Sequence, residues 1–276
     1  MKISVIIPIG NREQYRDCRC SIAKSIEAAA DRGLDWELVE VFDDDRKGVA
    51  WARNEGVRRS TGDYLAWVDC DDVVCERWAS AIAQGLLDGS VDILTFDARA
   101  EWEDGRAGYD IGYGRNDGAI PVRTFAKDVI GVCRAGGWLW NKVFRRGVLD
   151  GRRFEGDAFQ DYRMMCEILP EVKSVRYLPE KLYVYRRNAT GISQYVNRVA
   201  SLAALKALIG MADTRMDAYA DDMRRGVAVQ TADFCRHAGG VPVLRAFLRR
   251  QLRNVWRAKD IVFRIKVKCL IEALRI

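Results

Sequence analysis

Two acidic runs hold most of the chemistry this sequence could perform: Asp43-Asp44-Asp45 and Asp69-Cys70-Asp71-Asp72. Each directly follows an apolar stretch, WELVEVF at 36–42 and YLAWV at 64–68. Carboxylates crowded together repel one another, so such a cluster either raises a pKa or recruits a cation. A hard divalent ion such as Mg2+ or Mn2+ suits it, because it takes oxygen ligands and bridges readily to phosphate. A solvated acidic turn accounts for the first run equally well. The second, closing a strand of five apolar residues, points more firmly to a ligand.

Other chemistries are narrowed by what is scarce. His237 is the only histidine, so a Ser-His-Asp triad or a multi-His metal centre would have to be built around that one ring. His237 itself, flanked by Cys235-Arg236 and Ala238, reads as structural rather than as a third metal ligand. The eight cysteines show no paired CxxC spacing, only a CxC at Cys18 and Cys20, and read as reduced thiols. Proton transfer and hard-metal binding therefore fall to carboxylates.

The elements that must position these acids are legible. Residues 2–8 (KISVIIP) form a continuous β-branched run, which predicts a strand buried on both faces. The pattern then predicts a helix over 13–32 stopped by Gly33, a second strand at 36–42, a short helix at 49–59 and a turn at Ser60-Thr61-Gly62. A third strand follows at 64–68, a helix at 76–87 and a fourth strand at 91–96. Strands alternating with helices predict βαβ units, a parallel sheet and right-handed crossovers. In such a sheet ligands bind outside the carboxyl ends of the strands, where both acidic runs sit. Residues 98–123 are Gly-rich and predict loops or edge strands, and from 201 onward the pattern is helical, so a boundary is expected near 195.

Composition agrees with a folded chain. With 276 residues, 49% hydrophobic and 30% charged, the sequence can bury a sizeable core and carries no low-complexity tract that would favour disorder. No uncharged run is longer than about ten residues, as at 188–197, whereas a membrane span needs roughly twenty apolar ones. The N-terminus lacks a small-residue cleavage site and does not read as a signal peptide, so a cytoplasmic location is expected. Charge is uneven. Residues 241–276 hold ten Lys/Arg against two Asp/Glu, a net of +8; the whole chain is +6, which leaves −2 for residues 1–240.

Taken in order, KISVIIPIGN, FDDD, GVAWARNEGVRRSTGDYLAWVDCDD, GGWLWNKVFRR (136–146), FEGDAFQDYRMM (154–165) and LYVYRRNATGIS (182–193) cover about residues 1 to 195. This ordered set resembles the family 2 glycosyltransferases. The resemblance implies an α/β GT-A-like (Rossmann-like), mostly parallel sheet flanked by helices, followed by a helical C-terminal region. It further implies a nucleotide-sugar half at about 1–97, an acceptor and catalytic half at about 98–195, and a basic helical extension at 196–276. The implied activity is metal-dependent, inverting transfer from a nucleotide diphosphate sugar, usually a UDP-sugar, to a glycan or lipid-linked acceptor. Residue by residue, Asp44 would hydrogen-bond the base, with Pro8 and Asn11 lining its pocket. Arg53 and Asn54 would support the nucleotide and the acidic loop. Asp69-Cys70-Asp71 is similar to the DXD motif, with Asp71 the direct ligand of Mn2+ or Mg2+, Asp69 nearer the ribose or a water shell, and Asp72 beside them. Asp161 matches the general base, and Trp140 and Asn141 would lie close to the transferred sugar.

Elementary chemistry is compatible with these roles. A diphosphate leaving group gains negative charge as the glycosidic bond breaks, which a divalent cation stabilises, and the attacking hydroxyl needs a carboxylate to take its proton. The sequence departs from the family pattern in three places: Gln160 replaces the usual Glu before Asp161, Gly10 replaces an aromatic after the first strand, and Asp45-Arg46 replaces Gly-Ser after the second. Asp161 also reads as an N-cap for the helical run at 162–168. Trp138 and Trp140 read either as a sugar-stacking surface or as core. Tyr183, Tyr185, Arg186 and Arg187 alternate as a strand does, with Arg available to a phosphate or carboxylate. Leu244, Phe247, Leu248, Leu252, Val255 and Trp256 recur at helical spacing among arginines, a pattern that suits an anionic membrane at the inner face or packing against the domain; nucleic acid is disfavoured because no reader motif accompanies the charge. Two rival functions remain open on the sequence: a metal-dependent phosphohydrolase using Asp69 and Asp71, and a non-catalytic sugar-nucleotide-binding, membrane-docking subunit.

Overall fold

The run KISVIIPI forms strand β1 (Lys2–Ile9), buried along almost its whole length, in a computed structural model that describes residues 1–10, 12–87, 91–131, 136–156, 158–187, 198–238, 241–259 and 261–274. Two-sided burial follows from its place inside a sheet. β2 (Asp35–Phe42) pairs parallel on one side of it and β3 (Tyr64–Trp67) parallel on the other. Helix α1 (Arg12–Glu27) links β1 to β2, and α2 (Val49–Arg59) links β2 to β3. Helix α2 lies close on β1: a Cβ on Gly56 would sit 2.2 Å from Ile6 Cγ2, so only glycine permits that approach. Beyond β3 come β4 (Val73–Val74), α3 (Trp78–Gly85) and β5 (Ile93–Trp102).

The sheet order is β2-β1-β3-β8-β5-β9-β4, where β8 is Lys142–Arg145 and β9 is Val175–Arg187. β6 (Tyr109–Ile111) adds to β5 and β7 (Gly118–Ala119) to β9, so part of the Gly-rich 98–123 region supplies short edge strands. The result is mixed rather than purely parallel: β8 enters between β3 and β5 antiparallel to both, while β5 and β9 run parallel. At four residues, KVFR is too short to show a period, which is why the sequence pattern does not announce it.

Contacts divide the chain into two compact units, one of Met1–Val122, Trp138–Glu155 and Glu171–Tyr195, the other of Arg123–Gly137, Gly156–Pro170 and Val196–Ile276. The expected boundary near 195 lies outside the described residues. The first unit holds the sheet, with Ile3, Val5, Ile7, Leu94, Phe96 and Val143 fully buried in its core. The second unit is helical: α5 (Gln160–Ile168), α6 (Arg198–Thr214), α7 (Ala220–Ala238), α8 (Pro242–Arg257) and α9 (Phe263–Leu274), preceded by α4 (Val122–Ala126), most of which belongs to it. Within this unit α7 presses on the turn after α4, because a Cβ on Gly226 would meet Ile130 O at 1.7 Å. The buried Asp222 carboxylate on α7 is paired by Arg123 at 2.5 Å and by Arg225, which keeps that charge tolerable. Leu244, Phe247, Leu248 and Val255 of α8 are buried, so most of the basic helix's apolar stripe is core; Trp256 is not.

Candidate functional site

The acidic loop at the carboxyl end of β3 is built by three aspartates with three different surroundings. Asp72 is turned inward, 1% exposed. The Tyr183 hydroxyl donates to one of its oxygens and the Arg186 N–H to the other, each at 2.7 Å. The Asp69 N–H donates to the same Tyr183 hydroxyl at 3.1 Å, and the Cys18 thiol to Asp69 O at 3.6 Å. β4, which follows the loop at once, pairs antiparallel with β9 through Val73–Val184 and Val74–Tyr183. β9 thus holds the loop by ladder and by side chain. Burial, and then the charges of Asp69 and Asp71, push the Asp72 carboxyl well up from the carboxylate range.

Asp69 and Asp71 are half-buried. Burial first, and then the neighbouring charge of Asp69, push Asp71 up to about 6. Asp69 has the Arg53 guanidinium at 3.5 Å, on a side chain only 6% exposed. Among the described residues the Arg53 guanidinium, paired with Asp69, is the cation at these two half-buried carboxylates, and a hard divalent ion would relieve the negative charge that remains. The donor set fits such an ion only in part. Among the described residues no group of three or more His, Cys, Asp or Glu is arranged to hold a metal. Asp72, expected beside the cation, has both oxygens taken by Tyr183 and Arg186. The set narrows to Asp69 and Asp71, and other oxygens, from a phosphate or water, would complete the shell.

At the carboxyl end of β2 the three consecutive acids also separate. Asp43 accepts from the N–H groups of Lys47 and Gly48, each at 2.7 Å, and so closes the turn into α2. Arg46 within this turn is left-handed, with φ 55°. Asp45 pairs with Lys47 at 2.7 Å. Asp44 pairs with Arg12 at 2.8 Å, both side chains largely exposed, while the Arg12 guanidinium stacks 4.2 Å from the Phe42 ring. Of the three, Asp43 alone serves the backbone, while Asp44 and Asp45 face outward in side-chain ion pairs.

The remaining expected residues fall as follows. Pro8 is buried near the end of β1, opposite Val41. Asn11 lies outside the described residues. Asn54 spends its amide on the backbone of Phe154, donating to its carbonyl at 2.8 Å and accepting from its N–H at 2.9 Å; this is a structural bracket. Trp140 is buried and stacks on Trp138 at 5.1 Å, Tyr183 at 4.7 Å and Tyr185 at 5.8 Å. Trp138 and Tyr185 are the half-buried members of that stack. Asn141 is fully buried; its side-chain oxygen accepts from the buried Lys142 ammonium at 2.7 Å. Arg186, on β9 inside the sheet, meets a carboxylate, Asp17, at 3.1 Å.

Asp161 belongs to the second unit. It sits in the first turn of α5 rather than at its cap, which is Phe159, left-handed at φ 55°. The Tyr162 N–H donates to the Asp161 carboxylate at 2.8 Å. Helix α5 is fixed by the Tyr162 hydroxyl, which donates to Ile130 O at 2.7 Å, and by Arg215, which donates to Cys166 O at 2.6 Å. A bulky residue in the left-handed region next to a candidate base is strain of the kind that gathers at functional sites. What the sequence did not reveal is the role of Tyr183: its pairing with Asp72 spans 111 positions and no local pattern signals it.

The sheet and its strand-end acids define a GT-A-like α/β protein. The same architecture appears in the structure of Staphylococcus aureus TarS 1–349 in complex with UDP-GlcNAc, which is 14% identical, has a TM-score of 0.66, and is matched over 99% of this chain and 88% of that one. Residues 20–136 match the sequence profile of glycosyl transferase family 2. The uncharacterized glycosyltransferase YibD of Escherichia coli K12 is 24% identical over 220 residues, 70% of this chain and 63% of that protein. EpsH of Bacillus subtilis strain 168 is 22% identical over 218 residues, 70% of this chain and 62% of that protein. The match therefore spans a little less than two thirds of these relatives' length. Over residues 20–136, less than half of its length, the chain is thus similar to glycosyl transferase family 2.

Proposed function

We propose that the chain is a metal-dependent, inverting glycosyltransferase that moves a sugar from a UDP-sugar to a glycan or lipid-linked acceptor. The observation that carries this reading is the pair Asp69 and Asp71, two half-buried carboxylates held at the carboxyl end of β3, with the Arg53 guanidinium near Asp69 and the like charge of Asp69 pressing on Asp71. Asp44 at the end of β2 is the proposed partner of the uracil, and Pro8 and Asn11 border that pocket. UDP is the favoured nucleotide because structures of TarS contain UDP-GlcNAc and UDP. Arg53 orients Asp69; Asn54 acts through the Phe154 segment and not by touching the nucleotide. Trp140 and Asn141 are proposed to border the transferred sugar.

Asp71, with Asp69, would hold Mn2+ or Mg2+, which would stabilise the charge that develops on the diphosphate leaving group. Asp161 is the proposed general base. It accepts the proton of the acceptor hydroxyl as that oxygen attacks the anomeric carbon from the face opposite the diphosphate, so the configuration inverts. Gln160 beside it carries no charge, so no adjacent carboxylate competes for that proton. This reading puts the chain in the cytoplasm with its basic C-terminal helices at an anionic membrane; among the described residues no helix is long and apolar enough to cross one. The test is a donor screen that measures UDP release from a panel of UDP-sugars with Mn2+, with and without glycan and lipid-linked acceptors. Acceptor-dependent release from one donor is expected. No release from any donor, with phosphatase turnover of a simple phosphate ester instead, would overturn the reading.

A further inference from the structure

The apolar stripe of α8 is spent inside the second unit, yet a different apolar surface is left uncovered. Trp256 at the end of α8 is 46% exposed, and Val262, Phe263 and Leu274 are 55%, 70% and 62% exposed. On α9, residues 263, 267, 270 and 274 return to one side of the helix, while Cys269, Glu272 and Ala273 form its buried side. That outward stripe runs about 16 Å along the axis. Its near end is organised: the Trp256 and Phe263 rings meet edge to face at 6.1 Å, and the Lys266 ammonium donates to Trp256 O at 2.9 Å. A groove of about 440 Å³ beside it is lined by Leu252, Arg253, Trp256, Arg257 and Leu270.

The charge around this surface is one-sided. Of the two acids in residues 241–276, Glu272 is buried. Arg249 and Arg250 are engaged within the unit, by Ala273 O at 2.8 Å and by Asp213 at 2.7 Å. Arg253, Arg257, Lys259 and Arg264 are exposed. A second copy of the chain would bring +8 against +8 on this segment and is opposed by Coulomb repulsion. A nucleic acid would satisfy the cations but leave Val262, Phe263 and Leu274 in water. An anionic bilayer satisfies both: its headgroups take the cations, and the boundary below them takes aromatic and aliphatic side chains.

We infer that the end of α8 together with α9 is an interfacial docking surface for an anionic lipid bilayer. In this arrangement α9 lies in the plane of the interface. Trp256, Val262, Phe263 and Leu274 enter the boundary between headgroups and acyl chains, and Arg253, Arg257, Lys259 and Arg264 meet lipid phosphates, their stems lying along the apolar surface. This gives the membrane contact proposed above its residues, and it stands apart from the catalytic assignment.

The experiment is flotation of the full chain with vesicles of phosphatidylcholine, with or without 30% phosphatidylglycerol, at low and high salt. The double substitutions Val262→Asp with Phe263→Glu, and Arg253→Glu with Arg257→Glu, are compared with the unchanged chain, and thermal melts check folding. The expected result is flotation with anionic vesicles that falls at least tenfold for either double variant, for pure phosphatidylcholine and at high salt. Unchanged flotation of both variants would overturn the inference. So would failure of the unchanged chain to float, its displacement from vesicles by a nucleic-acid homopolymer, or a dimer that the Phe263 variant abolishes. UDP binding by the floated and unfloated proteins should be equal, which separates this result from the fate of the catalytic reading.

Discussion

The Tyr183 hydroxyl donates to the buried Asp72 carboxylate and accepts from the Asp69 N–H, so one phenol on β9 holds both ends of the acidic loop. The loop's shape is therefore set by a residue more than a hundred positions away. Tyr183→Phe keeps the ring stack on Trp140 but removes the donor to one oxygen of the buried Asp72 carboxyl, leaving the Arg186 N–H on the other. We expect a loss of roughly 1–3 kcal/mol in urea unfolding. Mn2+-dependent UDP affinity should also weaken although no proposed ligand has been removed; unchanged affinity would show that the loop keeps its shape without this bond.

Asn54→Ala separates bracket from binding site. It leaves the Phe154 N–H and carbonyl without their partner, which should cost about 1–3 kcal/mol of stability. UDP affinity measured by calorimetry on the folded variant should stay within a few fold. A loss of affinity at full stability would instead place the amide on the nucleotide.

Glu37 offers a pH test in the same unit. Burial raises its pKa, but hydrogen bonds from the Ser4 hydroxyl, the Thr61 N–H, Lys2 and the Thr61 hydroxyl together outweigh this and bring it down to about 2. Its folded pKa lies below the ordinary 4.5, so the stability it adds is complete above that value and is lost as pH falls toward 2. Glu37→Gln should cost on the order of 1–3 kcal/mol at pH 7. The difference from the unchanged chain should shrink steadily between pH 4.5 and 2. A difference independent of pH would assign the effect to packing.

Some of this was readable in advance. The β-branched run KISVIIPI announces β1 because a strand buried on both faces needs little more than apolar side chains of the right shape, and the two acidic runs do stand at the carboxyl ends of β2 and β3. Local pattern could not say which aspartate faces where. Asp43 and Asp72 face backbone N–H groups supplied by a turn and by β9, a distribution of partners that only the folded sheet determines. Asn54 looked like part of a binding element because its motif resembles one, yet its amide serves a backbone 100 residues on. The C-terminal stripe left two readings open, membrane or packing, because helical spacing shows that a face is apolar and cannot show whether protein already covers it; Leu244, Phe247, Leu248 and Val255 are in fact buried.

Asp161→Asn removes the proposed proton acceptor and keeps the side chain's shape. Transfer should fall by about 10²–10⁴-fold, with UDP affinity and melting temperature close to those of the unchanged chain. Transfer at near-normal rates would remove Asp161 from the chemistry and leave it as a first-turn helix residue.

The most direct test of the central claim is calorimetric titration of UDP into the unchanged chain and into Asp71→Ala, each with Mn2+ and with chelator. The account expects binding to the unchanged chain that requires the cation, and loss of that cation-dependent part in Asp71→Ala while the protein stays folded. UDP binding of equal strength in all four titrations would contradict it.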